Sequence, residues 1–232
     1  YLATRYNEPS IWTDIIRNEF DLNYVQFTSN LLEPSFSNSL INEEIKKIKY
    51  FTKKSRINIK HTFTSPRANY LGHNNKKIRE YWSSWLKKFM WISKELGAEA
   101  VGSLLGVMTF NDLKHNFKNR EKHIIDGWTK LSSYGKKIGL KYLLWEPMSI
   151  KRELGDTIKS AKYLHKKLNA NSKIPILLNL DVDHGNHFSG LKKDGNPYEW
   201  IKELSCFSPS IHIKQKTKDI YSHKPFIKKY EN

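Results

Sequence analysis

The chain has 232 residues, 38% of them apolar, with 40 Lys or Arg and a formal charge of +17. That length suits one large domain spanning residues 1–232, slightly short for an α/β barrel of ~250 residues. No apolar run of ~18 residues and no signal-like start occurs, which argues against a membrane span or secretion.

The single cysteine, Cys206, rules out an internal disulfide and argues against a thiolate zinc site. It fits a reducing, cytoplasmic setting and is expected as a small buried hydrophobe. The chain opens on Tyr1 and not on Met, and so reads as a fragment. A charge of this size can mean nucleic acid or anionic metabolites as partners. The cations are overwhelmingly Lys, however, and doublets such as Lys87-Lys88 and Lys136-Lys137 fall on predicted helix faces. Solvated helix surfaces account for them better than a binding patch, so nucleic acid is not the expected partner.

Pro9 to Phe20 has helical spacing of Ile11, Ile15, Ile16 and Phe20, with Ser10 as N-cap. Asn23 to Thr28 is a short strand, Ser39 to Ser55 a basic amphipathic helix, and Ile57 to Thr64 a second strand. Asn75 to Leu96 is a long helix presenting Trp82, Trp85, Phe89 and Ile92 on one face, with Gly97 as C-cap. Ala98 to Val107 is a third strand, Lys118 to Ile138 a helix, and Leu140 to Met148 a fourth strand ending on Glu146-Pro147. Leu154 to Leu168 is a helix, Pro197 to Leu204 a short one, and Ser210 to Gln215 a sixth strand; beyond Lys216 no period is clear. This alternation argues for a parallel sheet with right-handed crossovers.

Between these lies Ile174 to Asn186, IPILLNLDVDHGN, which reads as a fifth strand buried on both faces and broken only by Asn179. A buried strand cannot solvate charge, so Asp181, Asp183 and His184 at its end need a partner, most commonly a metal ion or substrate. In an extended chain the two aspartates point one way and His184 the other, unless a bend at Gly185 gathers all three.

The same kind of residue recurs late in other strands: His61, Glu146 and His212. In a (β/α)8 barrel such ends converge on one face. Each has a plainer reading: His61 as a hydrogen-bonded core histidine, Glu146 as a helix-terminal carboxylate, Asp183 as a turn cap. Alternation turns His212 inward if Ile211 and Ile213 pack against helices. His73, His115, His123, His165 and His187 are expected at the surface. Carboxylates and imidazoles together suit Mn2+, Co2+ or Zn2+.

The motifs LLWEPMS, ILLNLDVDHG and IHIKQ, with FTSPRANYLGH and AVGSLLGVMTFND matching less tightly, resemble the sugar phosphate isomerase/epimerase superfamily of xylose isomerase-like TIM barrels. Within it they are most similar to a subgroup like the D-erythrulose-1-phosphate 3-epimerases. The resemblance implies an α/β fold, a (β/α)8 TIM barrel that in this chain lacks the first and last strands. With the last strand goes a second metal-binding Glu. It implies a metal-dependent isomerase or epimerase of carbohydrate metabolism, acting on a small ketose or ketose phosphate through an enediolate.

By the resemblance Glu146, Asp181 and His212 hold the metal, Glu146 is an acid/base, and His184 hydrogen-bonds substrate oxygen. His61, Arg67, Lys214 and His184 are the substrate-binding candidates, with Lys216 and Arg152 as further cations for a phosphate or hydroxyl clamp. A sugar or sugar phosphate is then the partner, and self-association is compatible with it. Two alternatives stay open: an endonuclease-IV-like zinc DNA repair enzyme, and a non-catalytic sugar-phosphate-binding barrel.

Overall fold

In the computed structural model, residues 7–66, 69–216 and 223–230 are described. Six parallel strands pair in sequence order: β1 (Tyr24–Phe27), β2 (Asn58–Thr64), β3 (Ala100–Leu104), β4 (Tyr142–Glu146), β5 (Ile176–Asp181) and β6 (Ser210–His212). Helices fill the intervals: α1 (Pro9–Asp14), α2 (Asn38–Lys54), α3 (Lys76–Glu95), α4 (Phe110–His115), α5 (Phe117–Lys137), α6 (Ile158–Asn169) and α7 (Pro197–Leu204). Gln215–Lys216 and His223–Lys224 form a small antiparallel pair, β7 and β8.

The helices start where side chains satisfy their free N–H groups. Ser37, Asn75, Thr157 and Asn196 accept first-turn amides of α2, α3, α6 and α7, and Pro197 sits at the first turn of α7. Ile41, Ile45 and Ile48 of α2 and Trp85, Phe89 and Ile92 of α3 then face the sheet as their spacing requires. One apolar layer joins Phe89, Trp128, Leu131, Leu143, Trp145, Leu164 and Leu178; a second joins Trp12, Phe27, Ile41, Ile48 and Ile59. Each such side chain contributes about 1.5–3 kcal/mol on burial.

Several boundaries depart from the periodicity, the first being the start of α1, where Glu8 and not Ser10 holds the N-cap position. Helix α6 begins at Ile158, not Leu154, because Leu154 and Gly155 take φ of +70° and +77°. The capping box of Thr109 and Asp112 starts a short helix, α4, inside an expected loop. Strand β5 stops at Asp181, where the chain turns. Cys206 is exposed, not buried, since it lies in a turn of 3-10 helix past the end of α7.

The sheet curls. Inward positions alternate along each strand, and at Gly102 a Cβ would stand 2.4 Å from the Phe63 ring and 3.0 Å from Leu144 Cβ, so glycine leaves the room that Phe63 fills. The curl carries the edge strands β1 and β6 close enough for Gln26 and His212 to meet at 2.7 Å. A cleft of about 320 Å³ lies between them, lined by Tyr24, Gln26, His61 and His212 among others. Among the described residues the strands make part of a barrel of the expected α/β type.

Candidate metal and substrate site

Glu146 closes β4, Asp181 closes β5, and His212 stands opposite Asp181 in the β5–β6 register. Both carboxylates are buried, each 5% exposed. His212 faces inward as alternation requires, although Ile211 and Ile213 remain exposed and are not packed under helices. Its Nδ1 is 3.1 Å from Glu146 Oε1 and 3.7 Å from Asp181 Oδ2.

The turn after β5 reverses the expected direction of His184. Asp181 Oδ1 accepts from Asp183 N at 2.9 Å, and His184 N donates to Asp181 O at 3.0 Å. Gly185 follows at φ +124°, where a Cβ would lie 2.2 Å from Asp194 O. The imidazole is thereby folded back onto the carboxylates. Its Nδ1–H donates to Pro147 O at 2.9 Å, and Nε2 lies 3.7 Å from Asp181 Oδ2. Glu146, Asp181 and His184 each offer a ligand atom within 4.8 Å of the other two, a group able to hold a metal ion.

Burial alone would raise the Asp181 pKa, but the adjacent His212 imidazole, the charge of His184 and the Lys214 ammonium hold it well below the usual carboxylate range. For His212 burial alone would lower the pKa; hydrogen bonds to Asp181 and Glu146, with their charge, win and raise it to about 9. Asp181 Oδ2 is the most exposed to this tension. It is buried, has Lys214 Nζ at 2.5 Å and two imidazoles at 3.7 Å, yet accepts no hydrogen bond of regular geometry. Two buried carboxylates, an under-satisfied oxygen and two imidazoles fit a divalent ion that accepts oxygen and nitrogen ligands together.

The remaining candidates are placed differently. Lys214 joins the cluster, on Asp181. His61 does not: its Nε2 pairs with Tyr142 Oη at 2.7 Å, and Tyr142 begins the strand that Glu146 ends, about 13 Å further along. His61 lines the cleft that His212 also lines, but the bond to Tyr142 and its lowered pKa, caused by burial, match the core-histidine reading. Arg67 lies outside the described residues, as does the side chain of Lys216. Arg152 stacks over the ring of Phe110, its guanidinium carbon 5.8 Å from the centroid. His73, His123 and His165 are half-buried, not surface, residues, whereas His115 and His187 are exposed as expected.

Two neighbours of His212 went unassigned in the sequence. Asn179 Nδ2 is 3.1 Å from its Nδ1, and Gln26 Oε1 is 2.7 Å from its Nε2. Asn179 left a signal, the one polar break in a buried strand. Gln26 left none beyond a polar residue between Val25 and Phe27.

No family model matches the chain. Over 230 residues it is 32% identical to D-erythrulose 1-phosphate 3-epimerase of Brucella abortus (strain 2308), a match covering 97% of this chain and 74% of the relative. The chain belongs to the D-erythrulose 1-phosphate 3-epimerase family. Membership in this epimerase family makes it an enzyme of the sugar isomerase and epimerase class, and sets aside the DNA-repair and non-catalytic alternatives.

Solved structures agree on the fold of this epimerase family member. A Rhodospirillum rubrum protein described as a xylose isomerase superposes with a TM-score of 0.85 at 22% identity, over 94% of this chain and 75% of that one. D-psicose 3-epimerase of Clostridium cellulolyticum H10, solved with D-tagatose, gives 0.68 at 13% identity, over 89% and 67%. At these identities the match establishes the xylose isomerase-like TIM-barrel fold and nothing finer. Among the described residues, no helix is long and apolar enough to cross a membrane.

Proposed function

We propose that this member of the epimerase family inverts a carbon beside the ketone of a small ketose phosphate, of the tetrulose phosphate type, by proton transfer through an enediolate. The observation that carries the reading is the packing of Glu146, Asp181 and His184 within 4.8 Å, with His212 against the same two carboxylates. Glu146, Asp181 and His212 are the residues assigned to hold Mn2+, Co2+ or Zn2+, whose chemistry there is to polarise the ketone and neutralise enediolate charge.

Glu146 removes the proton. Its burial and its place at the strand end support this role. His184 gives Nδ1–H to Pro147 O, so its neutral form turns a lone pair at Nε2 toward the site and accepts from a substrate hydroxyl. Lys214, once released from Asp181, supplies a cation for the phosphate, with Arg67 as a second candidate. By the family resemblance, the proton returned to the opposite face comes from a second Glu on a later strand.

Solvent exchange tests the central role. With D-erythrulose 1-phosphate in D2O, the protein is expected to incorporate deuterium at the carbon beside the ketone. Glu146→Gln should lower that rate by about 10²- to 10⁴-fold while leaving the circular dichroism unchanged. Exchange at the parent rate in the variant would remove Glu146 from the mechanism.

A further inference from the structure

His212 is held on its far side by a residue from the other edge of the sheet. Gln26, on β1, places Oε1 at 2.7 Å from His212 Nε2, a contact across 186 residues of chain. The opposite ring nitrogen, Nδ1, faces Glu146 Oε1 at 3.1 Å and Asp181 Oδ2 at 3.7 Å. An imidazole that ligates a metal needs its lone pair on the nitrogen facing the ion, so its one proton must sit on the other. We propose that Gln26 is the positioning residue that keeps this proton on Nε2 and presents Nδ1 to the carboxylates as a ligand atom. The inference rests on the metal centre of the proposed function.

The other neighbours do not perform this selection. Asn179 brings its amide nitrogen to 3.1 Å from Nδ1 and 3.3 Å from Nε2; a donor favours a lone pair on the nitrogen it meets, and lying nearly equally close to both it distinguishes them weakly. The Phe63 ring meets His212 edge-on at 5.5 Å, which limits the tilt of the imidazole and is blind to its tautomer. Without Gln26 the neutral ring would favour a proton on Nδ1, donated to Glu146, and that proton would block the nitrogen needed by the metal. The amide of Gln26 accepts without being able to take the proton away, which suits a ligand that must stay neutral.

Gln26→Leu removes the acceptor at nearly constant size, Gln26→Asn withdraws it by one methylene, and Gln26→Glu restores one. Metal-stripped protein would be titrated calorimetrically with Zn2+, and the zinc-loaded, 15N-histidine-labelled protein examined by NMR. The expected result is a Zn2+ affinity about 10- to 100-fold weaker in Gln26→Leu and Gln26→Asn. The slowly exchanging Nε2–H signal of His212 should vanish in both, and Gln26→Glu should recover affinity and signal together. Unchanged affinity in folded Gln26→Leu overturns the inference, as does an equal loss in Gln26→Glu, which would mark a packing role only. A parent protein whose Zn2+ binding is absent, or is untouched by Asp181→Ala, overturns the metal centre and this inference with it.

Discussion

Lys214 Nζ stands 2.5 Å from Asp181 Oδ2, the oxygen that also faces both imidazoles. An ammonium there adds to the counter-charge that the His212 imidazolium gives this buried carboxylate. It must also move before Asp181 can ligate an ion, because two cations cannot share one oxygen at that range. The proposed phosphate-clamp role and the observed Asp181 contact therefore require different states of one side chain. Lys214→Met separates them. Removing the competitor should tighten Mn2+ binding, by roughly tenfold for a change of about 1.4 kcal/mol. Removing the clamp should at the same time raise KM for the phosphorylated substrate and leave that for an unphosphorylated ketose nearly unchanged. Calorimetry and steady-state kinetics on the same variant read both. Weaker Mn2+ binding in Lys214→Met would show that the lysine supports the centre instead of competing for it.

At the scale of elements, the strands and helices deliver chemistry to one end and neutral histidines elsewhere. His61 on β2, His123 on α5 and His165 on α6 have pKa values lowered below 6.5, in each case chiefly by burial. For a base so lowered, the unfolded chain takes up protons that the fold refuses, so stability falls as pH drops through about 6.5. His212 works in the other sense in the metal-free protein. Its contribution is complete below 6.5 and is lost as pH rises through about 9. A difference measurement isolates the first effect. His165 packs on Phe207 with ring centroids 4.5 Å apart, so His165→Gln also loses packing, a part of the change that does not vary with pH. On going from about pH 7.5 to about pH 5.5, the parent should nevertheless lose more urea stability than the variant. Equal losses would mean that His165 titrates in the fold as it does in the unfolded chain.

These elements were largely legible because the apolar period is clear: Asn75 and Pro197 mark helix starts, and β4 and β5 are uninterrupted apolar runs apart from Asn179, whereas the cap at Ser37 was missed and that expected at Ser10 falls inside α1. The site was legible in its residues and not in its directions. Strand parity sends His184 away from Asp181, but an Asp181 side chain that captures the Asp183 amide converts the strand end into a turn. Gln26 was invisible for a different reason. Its meaning depends on a curl of six strands that brings residue 212 back to it, and no local pattern encodes that closure.

For the whole molecule, the charge of +17 attracts an anionic substrate and repels a divalent cation. A metal ion can therefore be retained only by local ligands strong enough to overcome that field. The described structure gathers the candidate ligands Glu146, Asp181 and His212 on the ends of three adjacent strands, β4, β5 and β6. Binding there ties those strands together, and an ion that binds the fold and not the unfolded chain stabilises it by about 2.7 kcal/mol at 100 times its Kd. Elemental analysis should accordingly find about one Mn, Co or Zn per chain. Stripping the metal should lower Tm, and the same ion should restore it in a concentration-dependent way. Asp181→Ala should lose both the ion and the metal-dependent part of Tm, and its metal-free form should also be less stable, because Lys214 and the His212 imidazolium lose the carboxylate they share. A stoichiometry near three zinc per chain would require ligands beyond this cluster. A Tm indifferent to added metal in the parent would mean that Lys214 and the His212 imidazolium, not an ion, are the permanent counter-charges of Glu146 and Asp181.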